Sequence, residues 1–296
     1  MKESEKSRLQ ALLKKASGWV EPRLGELPES SGGLSRLPSL CRYSLTSGGK
    51  RVRPFLVRSS CEAVGGGPGR SIHAACAVEM VHTYSLIHDD LPQMDDDDLR
   101  RGLPTLHVKA GVPQAVLGGD LLMVEAFGEL ARTPLGAGRV SEMLGRLSAA
   151  AGPVFLVGGQ YMDMNPPRDA DRPWVERMIL GKTAAMIRVS LELGALAGGA
   201  ESDLVDGMQG VGDRLGYLFQ LTDDILDRSG NTDEMGKRVG KDADHGKANT
   251  VSTIGLAEAK ALALRLSDEI SSELARFEGD WSAVALLARY LPHRRK

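Results

Sequence analysis

The sequence predicts an all-α chain, and three observations carry that prediction. Apolar residues recur at helical spacing from end to end of the 296 residues. No stretch shows the strict alternation of a half-buried strand. Glycine and proline clusters cut the apolar pattern into helix-sized pieces.

Composition sets the outer bounds. With 42% hydrophobic and 26% charged residues, the chain has an ordinary globular mix and can bury an ample core. The length permits one large domain or two small ones. The leading helix is too short to be a domain, so residues 1–296 read as a single domain, with 1–35 as an N-terminal helix and loop. Net charge is −2, which gives no reason to expect nucleic acid as a partner. Cys41, Cys61 and Cys76 lack metal-type spacing, so they read as reduced thiols of a cytoplasmic protein. The opening Met-Lys-Glu-Ser-Glu-Lys is charged and no apolar signal core follows. No run approaches the roughly 18 apolar residues of a membrane span, so no integral membrane segment is expected.

The elements follow in order. Residues 3–19 form an amphipathic helix with Leu9, Leu12 and Leu13 inward. Residues 22–38 hold Pro22, Gly25, Pro28, Gly32, Gly33 and Pro38 and read as a loop. Ser47-Gly48-Gly49-Lys50-Arg51-Val52-Arg53-Pro54 then places three cations at a helix start. Backbone amides, lysine and arginine in that position make an anion site, although a basic surface cap has the same pattern. After the break at 65–69, residues 74–91 form a largely buried helix. Its polar stripe is His82, Ser85 and Asp89. Helices follow over 112–131, 139–165 and 173–197. Gly158 and Gly159 within the second suggest close packing against a helix or ligand, and Lys182-Thr183 open the third. Residues 211–228 carry Gln220, Asp223 and Asp227 on one stripe. Residues 229–250 are lysine- and glycine-rich and could close over bound phosphates. Residues 254–294 return to helix, and the basic tail His293-Arg294-Arg295-Lys296 reads as frayed.

The chemistry concentrates where the central helix ends. Six carboxylates fall between Asp89 and Asp98, and Arg100-Arg101 follow at once. Pro92 ends the helix, so Asp95 comes from a turn folded near the helix end. Two carboxylates about 5 Å apart repel by roughly 3 kcal/mol at an effective dielectric near 20, and by under about 1 kcal/mol in water. A solvated acidic loop is therefore cheap. Carboxylates that terminate an apolar helix are not, and they call for hard cations and the adjacent arginines. An EF-hand does not fit, because a loop starting at Asp95 puts Arg100 where glycine is required. Asp223 and Asp227, four apart on a second apolar helix, repeat the same logic.

These motifs occur together in one order: Gly-Gly-Lys-Arg-Val-Arg-Pro (48–54), Asp-Asp-Leu-Pro-Gln-Met-Asp (89–95), Arg100-Arg101-Gly102, Lys182-Thr183, Phe219-Gln220, Asp-Asp-Ile-Leu-Asp (223–227), and Gly-Lys at 237 and 247. Taken together they closely resemble the trans-prenyl diphosphate synthases of the farnesyl and geranylgeranyl type. The resemblance spans about residues 40–255. It implies a helical bundle around a deep central cavity, usually a homodimer. It implies head-to-tail condensation of isopentenyl diphosphate onto an allylic diphosphate, with Mg²⁺ as cofactor and no side-chain base. By the same resemblance, Asp89 and Asp95 hold Mg²⁺ from one wall, and Asp223, supported by Asp227, from the other. Arg100, Lys182, Thr183, Gln220, Lys237 and Lys247 bind the allylic diphosphate. Lys50, Arg53, His82 and Arg101 bind isopentenyl diphosphate. Gly181 and the Ala-Asn-Thr after Lys247 depart from the family's usual pattern and bear on the lid.

In the family, residues just before the first aspartate motif form the floor of the chain-elongation tunnel. Tyr84 and Ser85 occupy those positions, one helical turn below Asp89. A bulky Tyr84 predicts farnesyl diphosphate as product, with geranylgeranyl diphosphate as the alternative. A terpene cyclase would carry a different second motif. A non-catalytic synthase subunit would lack an aspartate motif. A phosphohydrolase would need a base or nucleophile that the sequence does not offer.

Overall fold

The computed structural model describes residues 1–26, 36–229 and 249–294. The chain is helical almost throughout. Fifteen α-helices are named here among the described residues. They are α1 (Glu3–Leu24), α2 (Arg36–Leu45), α3 (Val52–Ala63), α4 (Pro68–Asp89), α5 (Leu106–Ala110), α6 (Val112–Ala131), α7 (Ala137–Ala151), α8 (Leu156–Met164) and α9 (Arg172–Ile179). After a π-turn at Leu180–Ala184 come α10 (Ala185–Gly198), α11 (Ser202–Gly207), α12 (Gln209–Ser229), α13 (Thr250–Ile254), α14 (Leu256–Leu274) and α15 (Ser282–Tyr290).

The bundle is built around α4 and α10. Pro68 sits in the first turn of α4, where its missing N–H costs nothing. From Ala74 to Val81 every residue of α4 is buried. In α10 every residue except Arg188 is buried, the pattern of a helix surrounded by others. α4 packs on α6, α3 and α10, and α10 also packs on α12. One contiguous set of buried apolar side chains runs from Leu9 to Leu291. Two close approaches depend on glycine. A Cβ at Gly159 of α8 would lie 2.1 Å from the backbone nitrogen of Lys182, and one at Gly216 of α12 would lie 2.3 Å from Ala184 Cα. The π-turn is thus gripped between α8 and α12, which meets the expectation of close packing at the 158–159 glycines.

Several boundaries differ from expectation. Pro22 lies inside α1 and Pro38 inside α2, not in a loop. Pro22 leaves the carbonyl of Gly18 without its helical donor, but Gly18 is exposed to water. Pro38 lies in the first turn of α2 and so breaks no helical bond. The expected helix over 139–165 is divided by a turn at residues 152–155 into α7 and α8. The helix over 173–197 is interrupted by the π-turn, which holds Lys182 and Thr183. A two-residue hairpin, β1 (Leu99–Arg100) and β2 (Leu103–Pro104), is the strand pairing among the described residues. Its loop, Arg101-Gly102, has φ of 55° and 78°, the left-handed pair that a tight hairpin requires. The stretch Ala137–Met164 is apolar and long enough, on length and composition alone, to cross a membrane. The turn at 152–155 leaves it as helices of 15 and 9 residues, each short of the roughly 20 that a span needs.

Candidate active site

Two acidic walls face the cations. The first is the C-terminal end of α4. Asp89 is the last residue of the helix, and the turn after it folds so that the Asp95 N–H donates to the Asp89 carbonyl at 2.8 Å. Asp95 is thereby held beside Asp89, as the proline break predicts. Burial pushes the Asp89 carboxyl up to about 6, with Lys182 and Arg100 pulling it down and Asp95 and Asp90 pushing it further up. Asp90 has a different role. It is 3% exposed and accepts from Arg100 Nε at 2.7 and 2.9 Å, with Nη2 at 2.5 Å. Arg100 is therefore anchored on Asp90 while its charge still acts on Asp89.

The second wall is α12. Burial pushes the Asp223 carboxyl up, and Arg294, Lys50 and Arg53 oppose that. Arg294 Nη2 lies 2.5 Å from Asp223 Oδ1, and its guanidinium stacks 5.4 Å from the Phe219 ring centroid. The tail is thus packed at Arg294 rather than frayed, with a 3₁₀ turn at Leu291–His293 leading into it. Asp224 is buried and structural. It accepts from Gln220 Nε2 at 2.9 Å and from the Thr250 N–H at 3.2 Å, tying α12 to α13. Thr183 Oγ1 donates to Gln220 Oε1 at 2.9 Å, so the π-turn is joined to the same chain of bonds. Asp227 is half-buried one turn beyond Asp223.

Lys182 is carried by the π-turn. Its Nζ is 2.5 Å from Asp163 Oδ2 of α8, and its charge acts on Asp89. The remaining cations gather at the start of α3. Arg101 donates to the Gly48 carbonyl, and its guanidinium lies where a Cβ on Gly49 would be, within 2.9 Å. Burial and then Glu79, Arg101 and Asp223 set the field on Arg53, with a net downward shift. His82 is held well below its usual range, so it is neutral at pH 7, first by burial and then by Arg53, Arg101, Arg100 and Arg51. Arg53 and Arg101 thus act together on His82, whereas Lys50 and Arg53 act on Asp223. Lys237 and Lys247 lie outside the described residues.

Tyr84 and Ser85 lie below Asp89 on α4. Tyr84 is buried and meets the His88 ring edge-on at 5.9 Å, and His88 Nε2 lies 3.0 Å from the Val116 carbonyl of α6. Ser85 donates to the His82 carbonyl at 2.9 Å. A small pocket opens beside Asp90 and Arg100, lined by Tyr43, Ser47, Thr83 and Leu106 among others. Its lining comes from α2, α4, α5 and the hairpin, and includes neither Asp89 nor Asp223.

The sequence reading did not single out Asp163, Arg294, Glu79 or Arg51. Glu79 was detectable as a lone acid within the most buried part of α4. Arg51 lies in the basic motif but was given no role.

Among the described residues no three metal-ligating side chains stand close enough to form a ready-made cage. The donor set is nevertheless all carboxylate oxygen. A half-buried Asp89, raised first by burial and then by Asp95 and Asp90, is an environment that a hard divalent cation relieves. The residues fit Mg²⁺, an ion that keeps water and substrate phosphate oxygens among its ligands.

Carboxylates on α4 and α12 and two groups of cations stand on one helical bundle, an arrangement suited to a metal-bound diphosphate. The sequence model of the polyprenyl synthetase family matches residues 35–277, and the chain belongs to that family. It is a prenyltransferase that condenses prenyl diphosphates. A relative from Arabidopsis thaliana, the large subunit 1 of a chloroplastic heterodimeric geranylgeranyl pyrophosphate synthase, is 42% identical over 262 residues, covering 86% of this chain and 71% of that one. The geranylgeranyl pyrophosphate synthetase of Pyrococcus horikoshii superposes with a TM-score of 0.88 at 29% identity, over 98% and 99% of the two chains. A geranyltransferase from Helicobacter pylori, solved in complex with magnesium and isoprenyl diphosphate, superposes with a TM-score of 0.81 at 30% identity, over 96% of each chain.

Proposed function

We propose that this chain is a short-chain synthase that adds isopentenyl diphosphate to allylic diphosphates and ends at geranylgeranyl diphosphate. The observation that supports the two-substrate reading is the division of the cations. Lys182 and Arg100 act on Asp89, whereas Lys50 and Arg53 act on Asp223. Two groups of cations are thus available for two diphosphates. In this reading Asp89 and Asp95 from α4, with Asp223 and Asp227 from α12, hold Mg²⁺. Bound there, the metal supplies charge neutralisation to the departing diphosphate. Lys182, with Arg100, Thr183 and Gln220, orients the allylic diphosphate at the same place. Lys50, Arg53, Arg101 and neutral His82 fix isopentenyl diphosphate, so that its double bond meets the allylic carbon as the carbon–oxygen bond breaks. The apolar faces of α4 and α6 keep water from the allylic cation.

The names of the relatives support geranylgeranyl diphosphate as the end point. Farnesyl diphosphate, the product expected from the sequence, keeps one specific support: Tyr84 is a buried aromatic one turn below Asp89. Incubation with isopentenyl diphosphate and farnesyl diphosphate separates the two. Efficient formation of the C20 product supports the first reading, and arrest at farnesyl diphosphate supports the second.

We also propose a homodimer. Val116, Leu117, Met123 and Val124 are exposed together on one side of α6, around the exposed Asp120. A monomer in solution-mass measurements would overturn that. The buried, free cysteines support a reducing, cytoplasmic location.

A further inference from the structure

The segment between α2 and α3 carries Lys50 and leads into Arg53, and Arg101 donates to its Gly48 carbonyl. Gly48, Gly49 and Arg51 all have positive φ, at 89°, 127° and 48°. For the two glycines that conformation is free, but for arginine it is strained and must be imposed from outside. The source of the constraint is visible. The Arg51 side chain turns inward and is fully buried. Its Nη1 donates to Glu79 Oε1 of α4 at 2.7 Å, and its Nη2 donates to the Leu45 carbonyl at the end of α2 at 2.5 Å. Glu21 of α1 approaches Nε to 3.6 Å. One guanidinium thus ties three helices to the base of the loop.

Glu79 is 2% exposed and stands three residues, close to one helical turn, before His82. A buried carboxylate needs a partner, and Arg51 is that partner. Glu79 also acts on the cations of the neighbouring cluster. Its charge stabilises both Arg53 and Arg101 in their charged forms, against burial and against their mutual repulsion.

We infer that the buried Arg51–Glu79 pair is a positioning device for isopentenyl diphosphate: Arg51 locks the glycine loop in its left-handed form, and Glu79 offsets the repulsion within the cation cluster that binds the substrate. Neither residue touches the substrate. The inference rests on the reading of Lys50, Arg53, His82 and Arg101 as the isopentenyl diphosphate site.

Steady-state kinetics of the full chain test it, with the two substrates varied separately. Glu79→Gln keeps shape and removes charge. The expected result is a rise of about tenfold in KM for isopentenyl diphosphate, with KM for the allylic diphosphate within about twofold of wild type. Arg53→Ala serves as the reference for the site itself. If Arg53→Ala raises that KM and Glu79→Gln does not, the positioning role is wrong while the site stands. If Arg53→Ala leaves it unchanged, the site assignment has failed. Equal rises in both KM values for Glu79→Gln would mark a general structural role and overturn the inference. Should Glu79→Gln fail to fold, the apolar replacement Arg51→Met/Glu79→Leu keeps the core filled. That double variant is expected to show the same selective rise, and a wild-type KM for isopentenyl diphosphate in it would overturn the inference.

Discussion

Arg294 and Asp223 lie 71 positions apart in sequence, and in the folded chain the guanidinium of the first rests on the carboxylate of the second. The pair places a protein cation on a carboxylate proposed to hold Mg²⁺. The metal and Arg294 therefore compete for the same oxygen atoms. Arg294→Ala is expected to lower the Mg²⁺ concentration for half-maximal activity, on the order of threefold to tenfold for loss of one charge-assisted hydrogen bond. A Mg²⁺ titration of the variant checks this. An unchanged or higher requirement would show that Arg294 does not compete.

Asp163 holds Lys182 by a bond of 2.5 Å, and α8 is pressed against the π-turn at Gly159. Asp163→Asn removes the charge that aims the lysine. We expect kcat/KM for the allylic diphosphate to fall about tenfold, while KM for isopentenyl diphosphate changes little. Substrate-by-substrate kinetics decide this, and equal losses for both substrates would assign Asp163 to folding alone.

Glu129 anchors α6 to α1. Burial pushes its carboxyl up, but hydrogen bonds from Arg23, Arg132 and His73 outweigh that and hold it at about 2, below the ordinary 4.5. A carboxylate lowered by folding stabilises the fold above its unfolded value, and that stability is lost as pH falls through the folded value. Glu129→Gln should cost about 3 kcal/mol at pH 7. Denaturant melts of the two proteins should differ by a constant amount from pH 7 to about 5, and the gap should narrow below 4.5 and close near pH 2. A gap that stays constant down to pH 3 would rule out the titration of Glu129 as its source.

Tyr84 is the residue proposed to limit chain length. Its ring is buried and meets His88 edge-on, and His88 in turn reaches the Val116 carbonyl of α6. Removing it opens space one turn below the diphosphate. Tyr84→Ala is expected to shift products toward longer chains, as resolved by reversed-phase chromatography after dephosphorylation. An identical product ladder would remove Tyr84 from the floor.

Long periodic elements were legible in the sequence, and the bounds of α6 match the expected 112–131. What escaped was local or long-range. A two-residue strand has no alternation to read, so the hairpin that presents Arg101 was invisible. The break between α7 and α8 sits at Gly152-Pro153, a pair that an apolar run on either side concealed. Within the acidic motifs, spacing identified the cluster but not the division of labour. Asp90 and Asp224 look equivalent to Asp89 and Asp223 in sequence, yet Arg100 and Thr250 engage them in the fold. Arg294 carried no signal at all, because a short basic tail has no period and its partner is remote.

Two acidic walls and two cation groups are proposed to serve a condensation between two diphosphates. The most direct measurement is incorporation of labelled isopentenyl diphosphate into longer prenyl chains, with dimethylallyl diphosphate as starter. It is run with Mg²⁺, with a chelator, and with Asp89→Asn. The account predicts chain growth only with Mg²⁺ and wild-type protein, falling at least about a hundredfold in Asp89→Asn. Chain growth that persists in the chelator or in Asp89→Asn, or release of diphosphate without a new carbon–carbon bond, would contradict it.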